Sequence, residues 1–273
     1  MKLAYKNFFR ETFPSIHLSL YIFKQNLWIF HYLFFVKILN INLGFFKDDF
    51  FKNKKIIIIG PADTSLNYIP SEIIDKFDII VRINDSPNTL QKNQSIGTRT
   101  DILYHNLYLK DNPDINEQLL LSQKNQFVLY NWNLSHLEFN FKLARLKYKN
   151  IKIIKVHPIY YAKLIKEYIK YKLSPTTGVL ALNHLMHQKF KELHVVGFTF
   201  YKTSYIDGYK GIKPSTLKSE YEAVIGVGYH HPQKDLETFL KLYLRFSKKK
   251  KIILDSTLTA IIDHEIKSRL NSN

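Results

Sequence analysis

The 273-residue sequence contains no cysteine, which excludes disulfides, thiolate–metal sites and a cysteine nucleophile. A secreted domain of this size usually carries disulfides, so their absence favours a reducing cytoplasm. Acidic residues are also scarce. Only 23 aspartates and glutamates oppose 40 lysines and arginines, which gives a formal net charge of +17. Such a charge attracts polyanions: nucleic acid, an anionic membrane surface or a negatively charged sugar nucleotide.

Several motifs of common nucleotide-dependent enzymes are missing as well. The sequence has no G-x-G-x-x-G fingerprint with a later ribose-binding acid, which argues against an oxidoreductase, and it has no P-loop. It has no D-x-D triplet of the kind that carries a metal-bound nucleotide diphosphate, and no H-E-x-x-H zinc pair. We therefore assign no metal ligand. Basic residues are spread along the whole chain without a nucleic-acid-binding motif, so a non-enzymatic nucleic-acid-binding protein is kept only as the alternative from another class.

The segment over residues 1–51 differs from the rest of the chain. It is rich in aromatic and aliphatic residues, nearly free of acids before its end, and interrupted by Lys24, His31 and Lys37. No uncharged apolar stretch reaches the ~20 residues that a spanning helix needs, and no convincing signal-peptide cleavage site is present. Aromatics with interspersed lysines suit a helix in the membrane interface. We expect an N-terminal helical arm that either associates with an anionic membrane or packs on the domain or on a second copy, as in a homo-oligomer.

Short apolar runs alternate with helical stretches over residues 52–273, which we predict to form one domain. Alternation of this kind predicts an α/β domain with a doubly wound, mostly parallel sheet. Ligands bind beyond the carboxyl ends of strands in such sheets, so functional residues should directly follow the apolar runs. Helices are predicted over about 178–189 and 234–246. The seven predicted strands begin near Lys54, Asp78, Asp101, Phe127, Ile151, Glu192 and Lys251.

Glycine or asparagine follows the first three predicted strands. Gly60 ends the run in IIIIGPADTSL, where it permits close backbone approach to a phosphate, although a plain strand-to-helix turn is the alternative. Asn84 follows the second strand in VRINDSP, where its amide can bind a base or ribose edge or simply form an Asx turn. Asn106 ends the third strand.

A hydroxyl-rich turn, SPTTG, precedes an apolar helix. Thr176, Thr177 and Gly178 lie at the expected start of that helix, where hydroxyls and unpaired N–H groups favour an anion. Ordinary N-capping explains one threonine but not the tripeptide.

Two further segments carry side chains that can exchange protons. Tyr201 and Tyr205 lie beyond the strand that ends at Gly197, where their hydroxyls could donate to a leaving phosphate or pack as loop aromatics. His230 and His231 stand just before a predicted helix, where a general base that titrates near neutral pH would fit. Incidental histidines are the alternative.

Taken in order, these segments resemble the motifs of two sialyltransferase families. The animal enzymes have a long motif ending in R-x-N-x-x-P, a short motif with P-S-T-G and a His-containing motif. The bacterial lipooligosaccharide sialyltransferases have Thr-Ser-Gly followed by a strand and then G-x-x-F-Y. This sequence matches the two bacterial motifs at Thr176–Gly178 and Gly197–Tyr201. The resemblance runs from about Lys54 to about Leu254.

The resemblance implies a Rossmann-like glycosyltransferase A type fold and a role for each matched residue. Asn84 would bind the donor nucleotide, and Asn106 would lie near its phosphate or ribose. Tyr201 and Tyr205 would assist departure of the phosphate. His230 would be the general base that deprotonates the acceptor hydroxyl, with His231 as the fallback. The donor-binding residues would be Gly60, Asn84, Asn106, Ser174, Thr176, Thr177 and Gly178.

The implied reaction is inverting, metal-independent transfer of sialic acid from CMP-sialic acid to a hydroxyl of a cell-surface glycan precursor, such as lipooligosaccharide or capsule. No cofactor is implied. We expect a bacterial enzyme in the cytoplasm, peripheral to the inner membrane. CMP-Kdo is the alternative donor because both sugars carry a carboxylate at the anomeric carbon.

The sequence departs from the family pattern at several points. Pro61 follows Gly60 where those families have asparagine, so one donor contact is missing or rebuilt. P-S-T-G has become P-T-T-G. The arginine that precedes Thr-Ser-Gly in the bacterial group has only Lys172 as a neighbouring substitute. The disulfide that joins the animal motifs is impossible here.

Overall fold

Seven short strands lie in the part of the chain that the computed structural model describes, which comprises residues 46–91, 93–107, 127–130, 141, 144–171, 173–209 and 230–271. Each strand coincides with one of the apolar runs identified in the sequence, so all seven strand predictions are confirmed. The strands are β1 (Lys55–Ile59), β2 (Ile79–Ile83), β3 (Ile102–His105), β4 (Phe127–Tyr130), β5 (Lys152–Lys155), β6 (Glu192–Val196) and β7 (Ile252–Leu254).

Helices fill the connections between the strands, and the two predicted helices are confirmed within two residues. The α-helices of the described ranges are α1 (Ser71–Ile74), α2 (Ala162–Ile169), α3 (Thr177–His187), α4 (Pro232–Phe246) and α5 (Ser256–Asn271). Short 3₁₀ helices cover Asp48–Phe51, Asp63–Asn67, Ser86–Gln91, Gln94–Ile96 and Pro158–Tyr160.

All seven strands pair in parallel in one sheet, in the order β5-β4-β3-β2-β1-β6-β7. The α/β class with a mostly parallel sheet is therefore confirmed, and the sheet is in fact entirely parallel. The interior strand β1 carries four consecutive isoleucines, Ile56–Ile59, all of them buried. Such an uninterrupted apolar strand requires cover on both faces, which is the condition that parallel sheets satisfy.

The two faces of β1 pack into separate parts of the core. Ile56 and Ile58 join the main cluster beneath α3 and α4, whereas Ile57 and Ile59 pack with Ile74 on the other face. This layering holds α3 and α4 firmly against one side of the sheet, with the ends of both helices near its edges.

The end of the segment assigned to the N-terminal arm packs on the domain. Phe46 and Phe51 are buried in the main cluster, and the Phe46 amide donates to the Lys155 carbonyl at 3.0 Å. The rest of the predicted arm, residues 1–45, lies outside the described residues. Among the helices of the described ranges, none has the length and apolarity needed to cross a membrane.

Candidate functional site

The sheet topology defines one crevice at the carboxyl ends of β1 and β6. From β1 the chain continues to β2 on one side, whereas from β6 it continues to β7 on the other. Connections that diverge from two adjacent parallel strands leave a gap where ligands bind in open α/β sheets. Glycine follows both strands at this point, Gly60 after β1 and Gly197 after β6.

Gly60 and Gly197 bring the two strand ends into close backbone contact. A Cβ atom on Gly60 would lie 2.3 Å from the Gly197 carbonyl oxygen, and Gly197 itself has a φ of +71°. The Gly60 amide donates to the Val196 carbonyl at 2.7 Å, which continues the parallel pairing one residue beyond the strand. Glycine is thus required at both positions, one for space and one for conformation.

Backbone pairing fastens the loop after β6 to the segment after β1. The Ile206 amide donates to the Pro61 carbonyl at 2.8 Å, and the Asp63 amide donates to the Ser204 carbonyl at 3.0 Å. Between them, Ala62 and Tyr205 form an isolated antiparallel bridge. Pro61 therefore takes part in this pairing through its carbonyl group, which needs no N–H of its own.

This pairing positions the two predicted tyrosines. The rings of Tyr201 and Tyr205 lie 5.9 Å apart, and the ring of Tyr209 lies 4.9 Å from that of Tyr205. Phe200 and Tyr201 have φ values of +52° and +64°. Consecutive non-glycine residues in the left-handed region are strained, and such strain is concentrated at functional sites.

The two predicted asparagines lie side by side at the ends of β2 and β3. The Asn84 side-chain oxygen accepts from the Asn106 amide at 3.4 Å, and the Asn84 amide donates to the Tyr104 carbonyl at 2.8 Å. Asn84 has a φ of +45°, a conformation that asparagine tolerates better than most residues. Its side chain also hydrogen-bonds to the hydroxyl of Tyr209, whose pKa is raised by burial. Tyr209 therefore links the tyrosine loop to Asn84.

The arginine of the R-x-N motif is directed into the protein interior. The Arg82 side chain is fully buried and donates to the Ile96 carbonyl at 2.6 Å and the Thr100 hydroxyl at 3.1 Å. Burial lowers its pKa to about 9, with the charges of Asp75 and Asp101 acting in the opposite direction. Arg82 thus holds the segment between β2 and β3 in place rather than facing the crevice.

The hydroxyl-rich turn lies at the N-terminus of α3, as the sequence predicted. Thr176 is the N-cap, and its hydroxyl oxygen accepts from the Val179 amide. Thr177 begins the helix, and Gly178 packs so closely that a Cβ would lie 3.0 Å from the Phe198 ring and 3.6 Å from Ile83. The helix start therefore abuts the ends of β2 and β6.

A buried carboxylate, Asp235, holds this turn from behind. It accepts the Tyr168 hydroxyl at 2.6 Å and hydrogen bonds from the backbone and side chain of Thr176. Burial raises the pKa of Asp235, while the bonds from Tyr168 and Thr176 and the charge of His230 act in the opposite direction. Asp235 thus connects α2, the α3 turn and the histidine that precedes α4.

The two adjacent histidines have different hydrogen-bonding roles. His230 Nδ1 lies 2.7 Å from the Ser174 carbonyl oxygen. Because a carbonyl can only accept, Nδ1 carries the proton, and Nε2 of the neutral ring is left as the acceptor. His231 is the N-cap of α4, and its Nδ1 accepts from the Lys234 amide. The proton of neutral His231 is therefore on Nε2, so only His230 has the tautomer of a base at Nε2.

Hydrogen bonds and ring contacts link the predicted residues into two groups across the crevice. One group is the asparagine and tyrosine side, and the other is the α3 turn with Ser174 and His230. Phe198, which follows Gly197, contacts Gly178 between them. The predicted site residues that lie in these two groups or at the adjoining strand and helix ends are Gly60, Asn84, Asn106, Ser174, Thr176, Thr177, Gly178, Tyr201, Tyr205, His230 and His231.

Sequence reasoning did not assign roles to three buried residues behind the site. Tyr168 and Asp235 are far apart in the chain, so their contact is not visible in the sequence. Asp235 is the fifth residue after His230, which places its carboxylate one helical turn inside α4. Tyr209 follows the two predicted tyrosines at the same spacing of four residues, which was the available signal.

Neither a metal nor a cofactor is implied by these groups. Among the described ranges, no cluster of three or more His, Asp or Glu side chains could hold a metal ion. The predicted site residues supply side-chain amides, hydroxyls, backbone N–H groups and two imidazoles, which suit an anionic organic ligand.

No protein-family model matches the chain, and no curated protein matches it. Solved structures do align with it. A mammalian sialyltransferase is 14% identical with a TM-score of 0.48, over 74% of this chain and 68% of that one. The Campylobacter jejuni sialyltransferase CstII in complex with cytidine-5'-monophosphate is 16% identical with a TM-score of 0.48, over 77% and 84%.

A third structure is the monofunctional alpha-2,3-sialyltransferase Cst-I from Campylobacter jejuni, which is 15% identical with a TM-score of 0.45, over 74% of this chain and 75% of that one. Identities this low and TM-scores below 0.5 do not carry the activity of those proteins over to this chain.

Proposed function

We propose that this chain is an inverting glycosyltransferase that moves sialic acid from CMP-sialic acid to a hydroxyl of a glycan. The observation that carries the proposal is the 2.7 Å hydrogen bond from His230 Nδ1 to the Ser174 carbonyl. That bond joins a base with a defined tautomer to the turn that forms the N-terminus of α3. A proton acceptor and an anion-binding helix start are thereby fixed relative to one another.

The α3 N-terminus is the proposed site for the anionic groups of the donor. The first N–H groups of an α-helix have no partner inside the helix, and the helix dipole favours negative charge there. Thr177 adds a hydroxyl to those amides, whereas the Thr176 hydroxyl is engaged by Asp235 and the Val179 amide, and α3 is eleven residues long. Phosphate and the anomeric carboxylate of the sugar are both anions that this group would stabilise.

Asn84 and Asn106 are the proposed contacts for the nucleotide. They lie at the ends of adjacent strands and are hydrogen-bonded to each other at 3.4 Å. Each amide side chain offers a donor and an acceptor, which is the combination that a cytosine edge or a ribose requires. The hydrogen bond from Tyr209 restrains the Asn84 side chain.

Tyr201 and Tyr205 are proposed to stabilise the leaving CMP. As the glycosidic bond to the phosphate breaks, negative charge develops on phosphate oxygens, and preorganised hydroxyl donors lower the energy of that state. The backbone pairing with Ala62 and Asp63 fixes their loop before substrate arrives. As the acceptor oxygen attacks from the opposite side, His230 Nε2 takes its proton, so the configuration at the anomeric carbon inverts.

Asp235 is proposed to support the base indirectly. It does not face the reacting atoms, but its carboxylate interacts with the charge of His230 and orients Thr176. When His230 becomes an imidazolium, the nearby negative charge stabilises it, as an orienting carboxylate does in other base-dependent enzymes. Asp235 is a positioning residue in this scheme.

The acceptor, the location and the requirement for metal are further parts of the proposal. A cell-surface glycan precursor such as lipooligosaccharide or capsule would be the acceptor, presented in the cytoplasm at the inner face of a bacterial membrane. A donor with one phosphate can react without a divalent ion to neutralise a diphosphate, so we expect metal-independent turnover.

The test is release of CMP by the purified chain from CMP-Neu5Ac and, separately, from CMP-Kdo, each with and without EDTA. The proposal predicts CMP release from CMP-Neu5Ac at the same rate in EDTA, and faster with an added galactoside acceptor. Release from CMP-Kdo alone would replace sialic acid by Kdo. No release and no CMP binding by calorimetry would eliminate the transferase proposal and favour the nucleic-acid-binding alternative.

A further inference from the structure

The edge of the sheet opposite the crevice brings together three lysine-bearing segments. These are the segments that enter β1, β6 and β7. The Lys191 amide donates to the Lys54 carbonyl at 2.9 Å, and the Asn53 amide donates to the Lys189 carbonyl at 3.2 Å. The Leu193 amide donates to the Lys251 carbonyl at 3.0 Å. Three stretches that are distant in the chain therefore form one continuous surface.

Eight exposed lysines lie on this surface, which we name the amino-edge lysine cluster. They surround the entry points of three adjacent strands, and strands in a sheet lie only ~4.8 Å apart. Its members are Lys52, Lys54, Lys55, Lys189, Lys191, Lys248, Lys249 and Lys251.

The nearby carboxylates balance only part of this charge. Glu192 pairs with Lys251 at 2.8 Å and with Lys55 at 3.9 Å, yet these lysine side chains remain 63% and 48% exposed. Asp78 accepts the Lys55 amide at 2.8 Å, and Asp49 lies just before the cluster. The lysines outnumber these acids by more than two to one, so a net positive charge is left on this edge.

Apolar side chains lie among the lysines at the same edge. The C-terminal end of α4 points there and carries Leu244, which is 44% exposed. Phe190 and Phe246 are partly exposed on either side of Lys250, whose Nζ lies 5.2 Å and 4.8 Å from their ring centres. Lysines combined with aromatic and aliphatic side chains suit the headgroup region of a membrane.

We propose that the amino-edge lysine cluster docks the protein on an anionic phospholipid bilayer. Clusters of four to eight basic residues attract the negatively charged leaflet, and each lysine near the surface adds to the affinity. The surface consists of the starts of three adjacent strands and is not a groove. The flat, charged surface of a bilayer therefore matches it better than a nucleic-acid duplex does. The basic side chains at this edge are lysines with the exception of Arg245 in the last turn of α4, whereas bidentate recognition of nucleic-acid phosphates favours arginine.

The docked orientation places the crevice on the side away from lipid. Helix α4 has 15 residues and runs from His231 at the crevice to Phe246 at the amino edge. At ~1.5 Å per residue its length is about 22 Å. If the proposed glycosyltransferase function holds, the acceptor hydroxyl must stand about 20 Å above the headgroups. A lipid with an extended oligosaccharide would meet this requirement, and one with a single sugar would not.

Co-sedimentation of the full chain with vesicles tests the proposal. The vesicles are phosphatidylcholine with 30% phosphatidylglycerol, and pure phosphatidylcholine is the neutral comparison. The test variant replaces Lys54, Lys191, Lys248 and Lys249 with glutamine. The matched control makes the same replacement at four exposed lysines elsewhere, Lys163, Lys166, Lys170 and Lys267. Both variants carry the same net charge, and none of the replaced residues belongs to the candidate site.

We expect the cluster variant to bind anionic vesicles about 100-fold or more weakly than the wild type, and the control variant to lose less than tenfold. Equal losses in the two variants would show that net charge alone is responsible, and unchanged binding of the cluster variant would overturn the proposal. Loss of affinity for a 20-base-pair duplex, with vesicle binding intact, would assign the surface to nucleic acid. CMP release is measured in parallel in solution, so failure of docking and failure of the proposed activity are separate results.

Discussion

His230 and Ser174, 56 residues apart in the chain, are joined by a hydrogen bond from the histidine Nδ1 to the serine carbonyl oxygen. A backbone acceptor cannot be removed by mutation of its own side chain, so the tautomer of His230 depends on the path of the chain around residue 174. The turn that binds an anion in our proposal therefore also prepares the base.

Replacement of His230 with alanine should lower kcat for transfer by roughly 10²–10⁴, which is the usual contribution of a general base. The matched control is His231→Asn, because asparagine keeps an N-cap for α4 while removing the imidazole. We expect that control to retain most of the activity and to melt within a few degrees of the wild type. Near-normal transfer by His230→Ala would remove His230 from the mechanism.

Replacement of Asp235 with asparagine should reduce kcat while leaving the chain folded. The side chain keeps its shape, but the charge that interacts with His230 is lost. Because a neighbouring negative charge stabilises the imidazolium that forms as the acceptor proton is taken, the loss should appear in kcat with little change in the donor KM. A raised donor KM with kcat unchanged would mean that Asp235 acts only through the position of Thr176. Asp235→Glu is the charge-retaining comparison.

Tyr201→Phe and Tyr205→Phe each remove one hydroxyl and keep the ring contacts at 5.9 Å. Loss of one donor to a developing oxyanion typically costs about 10²–10³ in kcat. We expect each variant to lose more kcat with a donor that carries a poorer leaving group, and to show little change in the KM for the donor. Tyr209→Phe should behave differently and raise the donor KM, because its hydroxyl bonds to Asn84. Steady-state kinetics on the three variants distinguishes these effects.

Gly60→Ala should destabilise the protein by about 2 kcal/mol or more, because overpacking against rigid backbone leaves no simple relaxation. The added Cβ would lie 2.3 Å from the Gly197 carbonyl oxygen. Gly178→Ala is the control, since its Cβ meets the Phe198 side chain at 3.0 Å, which can shift. Urea unfolding of both variants gives the comparison, and equal stabilities would show that the two strand ends can separate.

Stability should fall as the pH drops below about 6.5, partly because of His184. This residue is fully buried with its Nδ1 bonded to the Tyr104 hydroxyl at 2.6 Å, and desolvation lowers its pKa to about 3. The folded state therefore binds this proton less readily than the unfolded state. The stabilising contribution is complete above the unfolded pKa and is lost as the pH falls toward the folded pKa.

For His184 the linkage amounts to about 2 kcal/mol between pH 7 and pH 5. Urea unfolding at the two pH values measures it, and His184→Gln should flatten the dependence by a similar amount. His105, whose pKa burial lowers to about 4, adds a second contribution of the same sign. An unchanged slope in the variant would mean that His184 is hydrated in solution.

The sheet could be predicted from the sequence because each strand is a short apolar run with its own ends, as in the case of Ile56–Ile59. The placement of Gly60 and Asn84 directly after strands followed from the same pattern. What the sequence does not contain is the pairing of distant segments. The bond from His230 to Ser174 and the burial of Asp235 beneath Thr176 depend on how α4 packs against α3, and no local periodicity encodes that contact.

The direction of the Arg82 side chain could not be foreseen for a similar reason. In sequence it belongs to a polar cluster with Asn84, and alternation along a strand places these two residues on the same face. In the structure the two side chains differ in direction. Asn84 has a positive φ at the strand end, whereas the Arg82 guanidinium donates to Ile96 and Thr100 inside the protein.

The order of strands in the sheet has a consequence for synthesis of the protein. Strand β1 lies between β2 and β6, and β6 follows it much later in the chain, with Lys55 aligned to Glu192. A ribosome needs roughly 7–27 s to synthesise the chain from Lys55 to Glu192 at ~5–20 residues per second. During that time the isoleucines of β1 have an unpaired edge, and the nascent chain is open to pairing with other chains. The interval between the synthesis of β1 and β6 is therefore the stage at which this fold is most exposed to aggregation.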